Sequence, residues 1–108
     1  MKKIEYHKLV RDRIPEIIEK DGKTCEFSVL SQEDYIALLD QKLNEELAEY
    51  QESKSMEELA DLLEVMSAVA TARGSSIEEV EKIRVSKKEK RGGFEKRILL
   101  ETVTEQEG

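Results

Sequence analysis

Cysteine, histidine and proline each occur once in this 108-residue chain, as Cys25, His7 and Pro15, and tryptophan is absent. A single cysteine excludes an internal disulfide. Cys25 therefore reads as a small buried hydrophobe rather than a nucleophile. One histidine and one cysteine cannot assemble a zinc site of the usual nitrogen and sulfur kind. His7 reads as a local hydrogen-bonding or surface residue. Aromatic residues are scarce at 5%, and Tyr6, Tyr35 and Tyr50 read as packing residues. No apolar run approaches the ~18 residues of a membrane span, and the opening MKKIEYHKLV has no apolar core of a secretion signal. These absences point to a soluble protein of a reducing cytoplasm, with no membrane partner. The string G-x-x-x-x-G-K-[ST] is also missing, which excludes a P-loop.

Charge is what the chain has in abundance: 40% of its residues are charged, 38% are hydrophobic, and the net charge is −7. Such a surface repels phosphate backbones, so nucleic-acid binding is disfavoured, and a DNA-binding regulator with it. A small phosphate ligand remains compatible where cations or metal ions gather locally. The length fits one domain, residues 1–108, with no room for two cores. The apolar fraction is low for a self-sufficient core, so at least a homodimer is expected, each copy burying a face of the other. The charge alone would also suit a disordered chain, but the apolar periodicity argues against disorder.

That periodicity divides the chain into helices. RIPEIIEKDG reads as a short helix with Pro15 near its first turn and Gly22 just past its end. TCEFSVL is apolar and extended, a strand or strand-like segment. In SQEDYIALLDQKLNEELAEYQES, Ser31 is an N-cap, acids fill the first turn, and Tyr35, Ile36, Leu39, Leu43, Leu47 and Tyr50 keep helical spacing. A break follows at SKS. Ser55 with Glu58 has capping-box spacing and opens MEELADLLEVMSAVATARG, which Gly74 stops. Ser76 with Glu79 repeats the box and opens IEEVEKIRVSKKEKRGG. The last segment, FEKRILLETVTEQEG, starts extended and ends as a polar tail. The fold class is all-α. Two long helices with a short connection become antiparallel neighbours, a third helix follows, and short extended segments lie at the edges.

Two acidic clusters sit on those long helices. On a helical wheel, Ile36, Leu39, Leu43, Leu47 and Tyr50 centre the apolar stripe of the first. Glu46 falls inside the stripe and Glu49 on its shoulder, whereas Gln41 and Glu52 lie opposite it. On the second, Glu64, Ser67 and Thr71 make one narrow polar face. Asp61 points away from it, among Val65, Ala68 and Ala72, with Glu58 one turn earlier. Either these are ordinary solvated faces, or Glu46, Glu49, Glu58 and Asp61 converge. Buried carboxylates are costly unless paired or metal-bound, and four cannot all stay ionised together without a cation. A hard, oxygen-binding divalent ion such as Mg²⁺, with Mn²⁺ as a substitute, meets that need.

Two basic stretches flank the acids. HKLVRDRIP carries Lys8, Arg11 and Arg13, and SKKEKRGGF carries Lys87, Lys88, Lys90 and Arg91. The second also complements the dipole of a helix C-terminus. Gly92 and Gly93 allow an unusual turn close to a ligand, and Phe94 packs behind them or against a base. Acids that hold Mg²⁺ beside bases that hold phosphate describe a nucleotide polyphosphate site.

The pattern E-E-x-x-E followed by E-x-x-D, here Glu45-Glu46-Leu47-Ala48-Glu49 and Glu58-Leu59-Ala60-Asp61, resembles the MazG-like, all-α nucleoside triphosphate pyrophosphohydrolase superfamily. YHKLVRDRIPEII at 6–18 and KRGGF at 90–94 are similar to its small phosphoribosyl-ATP pyrophosphohydrolase-like branch. The resemblance spans nearly all of residues 6–100. It implies an antiparallel helical bundle, Mg²⁺ dependence and homo-oligomers. It also implies cleavage of a nucleoside triphosphate between the α- and β-phosphates, giving monophosphate and pyrophosphate. Glu46, Glu49, Glu58 and Asp61 match the metal-binding acids, and Glu45 the first acid of the motif. Glu49 or Glu46 would orient or deprotonate the attacking water. Lys8, Arg11, Lys88 and Arg91, with Glu45, are the substrate-binding candidates.

Within that reading the substrate stays open: phosphoribosyl-ATP of histidine biosynthesis, a noncanonical nucleotide removed in pool house-cleaning, or an ordinary deoxynucleotide. The rival is a non-catalytic helical module that oligomerises or binds nucleotide. Loss of one acid from the quartet would favour the rival, and all four are present.

Overall fold

The computed structural model describes residues 2–107, and among them it has four helices and no strand: α1 (Ile14–Lys20), α2 (Gln32–Ser53), α3 (Met56–Ala72) and α4 (Ile77–Arg91). The chain divides into two compact units, one running up to Ile77 and one from Glu78 onward.

In the first unit, local signals account for the helix bounds. Pro15 occupies the first turn of α1, where its missing N–H would have had no helical partner. Ser31 caps α2 by accepting the Asp34 N–H at 3.2 Å, and Ser55 caps α3 by accepting the Glu58 N–H at 3.3 Å. Between them lie only Lys54 and Ser55. Lys54 takes the left-handed conformation (φ 57°, ψ 24°), and its N–H closes on the Tyr50 carbonyl at 2.7 Å. A link this short folds the second helix back along the first. The antiparallel arrangement is visible at the far end of the hairpin. There, Gln32 Nε2 donates to the Ala72 carbonyl at 3.1 Å and Arg73 Nη2 reaches Asp40 Oδ2 at 2.7 Å. At the end of α3, Gly74 adopts φ +85° while its N–H bonds the Thr71 carbonyl and that of Ser75 the Ala70 carbonyl. A Cβ would be strained in that conformation.

The helices that pack on each other are α2 and α3. Their seam buries Leu39, Val65 and Ala70, and with them one charged residue, Glu46. Ile36, Leu43 and Tyr50 are half-buried along the predicted stripe, but Leu47 is largely exposed, as are Leu59, Leu63 and Met66 on α3. The seam is therefore narrower than the apolar surface the two helices carry.

Two expectations need correction. TCEFSVL forms no strand: residues 23–30 are irregular, and Phe27 and Val29 are exposed. Apolar β-formers make a strand only where a neighbour takes up the backbone N–H and C=O groups, and no ladder partner stands beside this segment among the described residues. The last segment does not start extended either, because a turn forms at Phe94, the Arg97 N–H meeting the Phe94 carbonyl at 3.1 Å.

The second unit holds α4 after its first residue, followed by a turn and an irregular tail. Acids open α4 (Glu78, Glu79) and bases close it (Lys88, Lys90, Arg91), which complements the helix dipole at both ends. Gly92 ends it at φ +83°.

Candidate metal centre

The hairpin brings three of the four predicted acids together. Each of Glu46, Glu58 and Asp61 offers a carboxylate oxygen, and the three oxygens lie within 4.8 Å of one another. Glu46 comes from the middle of α2, Glu58 and Asp61 from the first turns of α3, so the antiparallel register makes the cluster. Glu46 is only 7% exposed. One oxygen of Glu46 and one of Glu58 (Oε2 in each) are buried without a hydrogen-bond partner. A buried carboxylate oxygen without a partner is costly, and both of these acids share the cluster with Asp61.

Electrostatics register the crowding. The Glu46 pKa is raised, first by burial and then by the charge of Glu49, with Lys42 opposing and Asp61 adding to the rise. Desolvation and then Glu49 raise that of Glu58 as well, with Asp61 and Glu57 contributing. Glu49, the fourth predicted acid, thus stands beside Glu46 and Glu58, but it is exposed and outside the three-oxygen cluster. It occupies the rim.

Among the described residues, Arg11 and Lys42 touch the cluster. Arg11 Nη2 bonds Asp61 Oδ1 at 2.7 Å, across 50 positions of sequence. Lys42 Nζ lies 3.6 Å from Glu46 Oε1 and 3.6 Å from Glu45 Oε2. Lys42 was not singled out from the sequence. Its spacing, three residues before Glu45 and four before Glu46, is the helical ion-pair signal that would have found it. Glu45 itself is exposed and tied to Lys42, outside the cluster.

The remaining candidates lie elsewhere. Lys8 is exposed and outside these contacts. Lys88 and Arg91 belong to the second unit. There, Lys88 is 3.8 Å from Glu95, and Arg91 lines a cleft with Gly92, Gly93, Glu95, Lys96 and Ile98. His7 is exposed and sits 3.5 Å from Glu5, and the Cys25 Sγ is directed at the Pro15 carbonyl at 3.9 Å. Among the described residues, no helix is long and apolar enough to cross a membrane.

The cluster's donors are all carboxylate oxygens, the set that suits a hard divalent cation. The two orphaned oxygens are the observation that fits one: a cation would supply the partner each lacks.

No protein-family model matches the chain, and no solved structure does. The chain is similar to an uncharacterized protein of Mycolicibacterium smegmatis, 56% identical over 41 residues, which is 38% of this chain and 42% of that protein. The matched part is thus about two fifths of the length of the curated relative, whose description names no activity.

Proposed function

We propose that this chain is a Mg²⁺-dependent nucleoside triphosphate pyrophosphohydrolase with a MazG-like helical bundle, cleaving between the α- and β-phosphates to release monophosphate and pyrophosphate. One observation carries the reading: Glu46 and Glu58 place unpartnered buried oxygens beside Asp61 at the seam of α2 and α3. A chain that only needed a stable hairpin would gain by filling those positions with apolar side chains. The E-E-x-x-E and E-x-x-D strings at these positions support the same reading.

Glu46, Glu58 and Asp61 would hold the ion. When bound, it supplies positive charge to the triphosphate and acidifies a water. Glu49 has the exposure and the position to orient that water or take its proton, since its carboxylate stands next to the cluster and open to solvent. Arg11 is the phosphate-binding candidate that reaches the cluster. The exposed Leu47, Leu59, Leu63 and Met66 fit an oligomer in which a second copy covers the hairpin.

A screen of nucleoside triphosphates with Mg²⁺, read by pyrophosphate release, tests the reading, with Asp61→Ala and Glu49→Ala alongside. Wild type should turn over at least one triphosphate, with both variants strongly reduced. Equal background in all three proteins refutes catalysis, and release of orthophosphate refutes cleavage at the α–β bond. The same exposed apolar face favours a second reading, a non-catalytic oligomerisation module, which an inactive but dimeric wild type would support.

A further inference from the structure

Arg11 is the part of the site whose position is least explained by phosphate binding alone. Its backbone is held: the Arg11 carbonyl accepts the Ile14 N–H at 3.1 Å in the turn that begins α1. The neighbouring charges of α1 are satisfied locally, with Arg13 on Glu16 at 3.3 Å and Lys20 on Glu16 at 3.4 Å. Arg11 instead crosses to α3 and takes Oδ1 of Asp61, one of the three acids of the candidate metal centre. Asp61 therefore already carries a cation of the chain, as Oε1 of Glu46 does through Lys42, while the two buried Oε2 atoms of Glu46 and Glu58 have no partner.

A guanidinium and a divalent ion cannot share Asp61 without repulsion, because like charges a few ångströms apart oppose each other even in a partly solvated site. The Arg11 and Asp61 side chains are 58% and 43% exposed, so their bond is of the weak, water-screened kind. It can be broken by a competing cation and re-formed when that cation leaves. The flexible side chain on a fixed backbone gives the released guanidinium a short radius of motion beside the site. Its forked donors match phosphate oxygens.

We infer that Arg11 is a tethered competitor of the divalent ion: it holds Asp61 while the centre is empty, yields it when the ion enters, and is thereby freed towards an anionic ligand. This rests on the metal-centre reading above and adds to it a coupling between ion entry and anion recognition. Arg11 thus acts on the ion through Asp61 and on the anion directly. The coupling gives its removal opposite effects on two binding steps, which a plain structural tie between α3 and the segment preceding α1 would not.

Mn²⁺ binding to the full chain, followed by electron paramagnetic resonance without nucleotide, is the test. Wild type, Arg11→Gln, Arg11→Lys and Asp61→Asn are compared, with folding checked by circular dichroism. Arg11→Gln should bind Mn²⁺ roughly two- to fivefold more tightly than wild type at low salt, the range a screened surface pair can impose. The gain should shrink at high salt. Arg11→Lys should fall between the two. With Mn²⁺ saturating, inorganic pyrophosphate should bind Arg11→Gln more weakly than wild type. Unchanged or weaker Mn²⁺ binding by folded Arg11→Gln, while Asp61→Asn loses the ion, overturns the competition and leaves the metal centre standing. Equal Mn²⁺ binding by wild type and Asp61→Asn overturns both.

Discussion

The backbone N–H of Glu58 donates to Oγ of Ser55 at 3.3 Å, so the residue that starts α3 also fixes the backbone of a carboxylate that faces Glu46. Ser31 makes the equivalent bond to Asp34 at 3.2 Å, remote from the acids. The two caps separate stability from site geometry. Ser55→Ala and Ser31→Ala should each cost about 1 kcal/mol in thermal or urea unfolding, the usual loss for a serine N-cap. Only Ser55→Ala should also weaken Mn²⁺ binding. Equal metal affinity in both variants would sever the link between cap and centre.

Glu46 carries a pH signature. Burial foremost, then the charge of Glu49, raises its pKa above the ordinary 4.5 despite Lys42 beside it. The folded chain thus holds this proton more tightly than the unfolded chain. Stability falls as pH rises from about the ordinary glutamate value through the raised folded value, and the loss persists at neutral pH. Glu46→Gln should therefore melt higher than wild type at pH 7 in the presence of a chelator, and its melting temperature should depend less on pH across that window. A lower melting temperature for Glu46→Gln under those conditions contradicts the assignment.

Divalent ion should reverse that order. An ion held only by the folded chain stabilises it by about 2.7 kcal/mol at a hundredfold excess over Kd, which is on the order of 10 °C or more for a domain of this size. Wild type should gain this shift in Mg²⁺ at pH 7, and Glu46→Gln should lose most of it. Scanning calorimetry with and without Mg²⁺ reads both, and identical shifts in the two proteins would remove Glu46 from the centre.

Leu39 and Leu63 report on different surfaces. Leu39 is 4% exposed in the α2 and α3 seam, whereas Leu63 is 55% exposed on α3. Leu39→Ala should cost about 2–4 kcal/mol, independent of protein concentration. Leu63→Ala should have an effect within about 0.5 kcal/mol on an isolated chain. If a second copy covers that face, Leu63→Ala lowers the melting temperature by an amount that varies with concentration. Thermal melts over a hundredfold concentration range, with light scattering, distinguish the two.

Local order determined much of what could be read in advance. Ser31 and Ser55 at their caps, Pro15 in a first turn and Gly74 past a last one act within a few residues, so the helix bounds followed from the chain itself. Glu46 stood out because a charge inside an apolar stripe contradicts its own helix. TCEFSVL did not follow, because extended β-formers commit to a strand only when another segment pairs with them. Lys42 could have been read from helical spacing beside Glu45 and Glu46.

What the amino-acid order determined alone is which helices form and which acids sit on the wrong face of them. The tertiary structure decided which acids meet. The two-residue link at Lys54 and Ser55 sets the register that brings Glu46 to Glu58 and Asp61 and leaves Glu49 at the rim. It also decided that Arg11, 50 positions away, reaches Asp61 while Lys8 does not. Helix periodicity places side chains around one axis, whereas the meeting of charges from distant segments depends on how those axes pack, which no local pattern encodes.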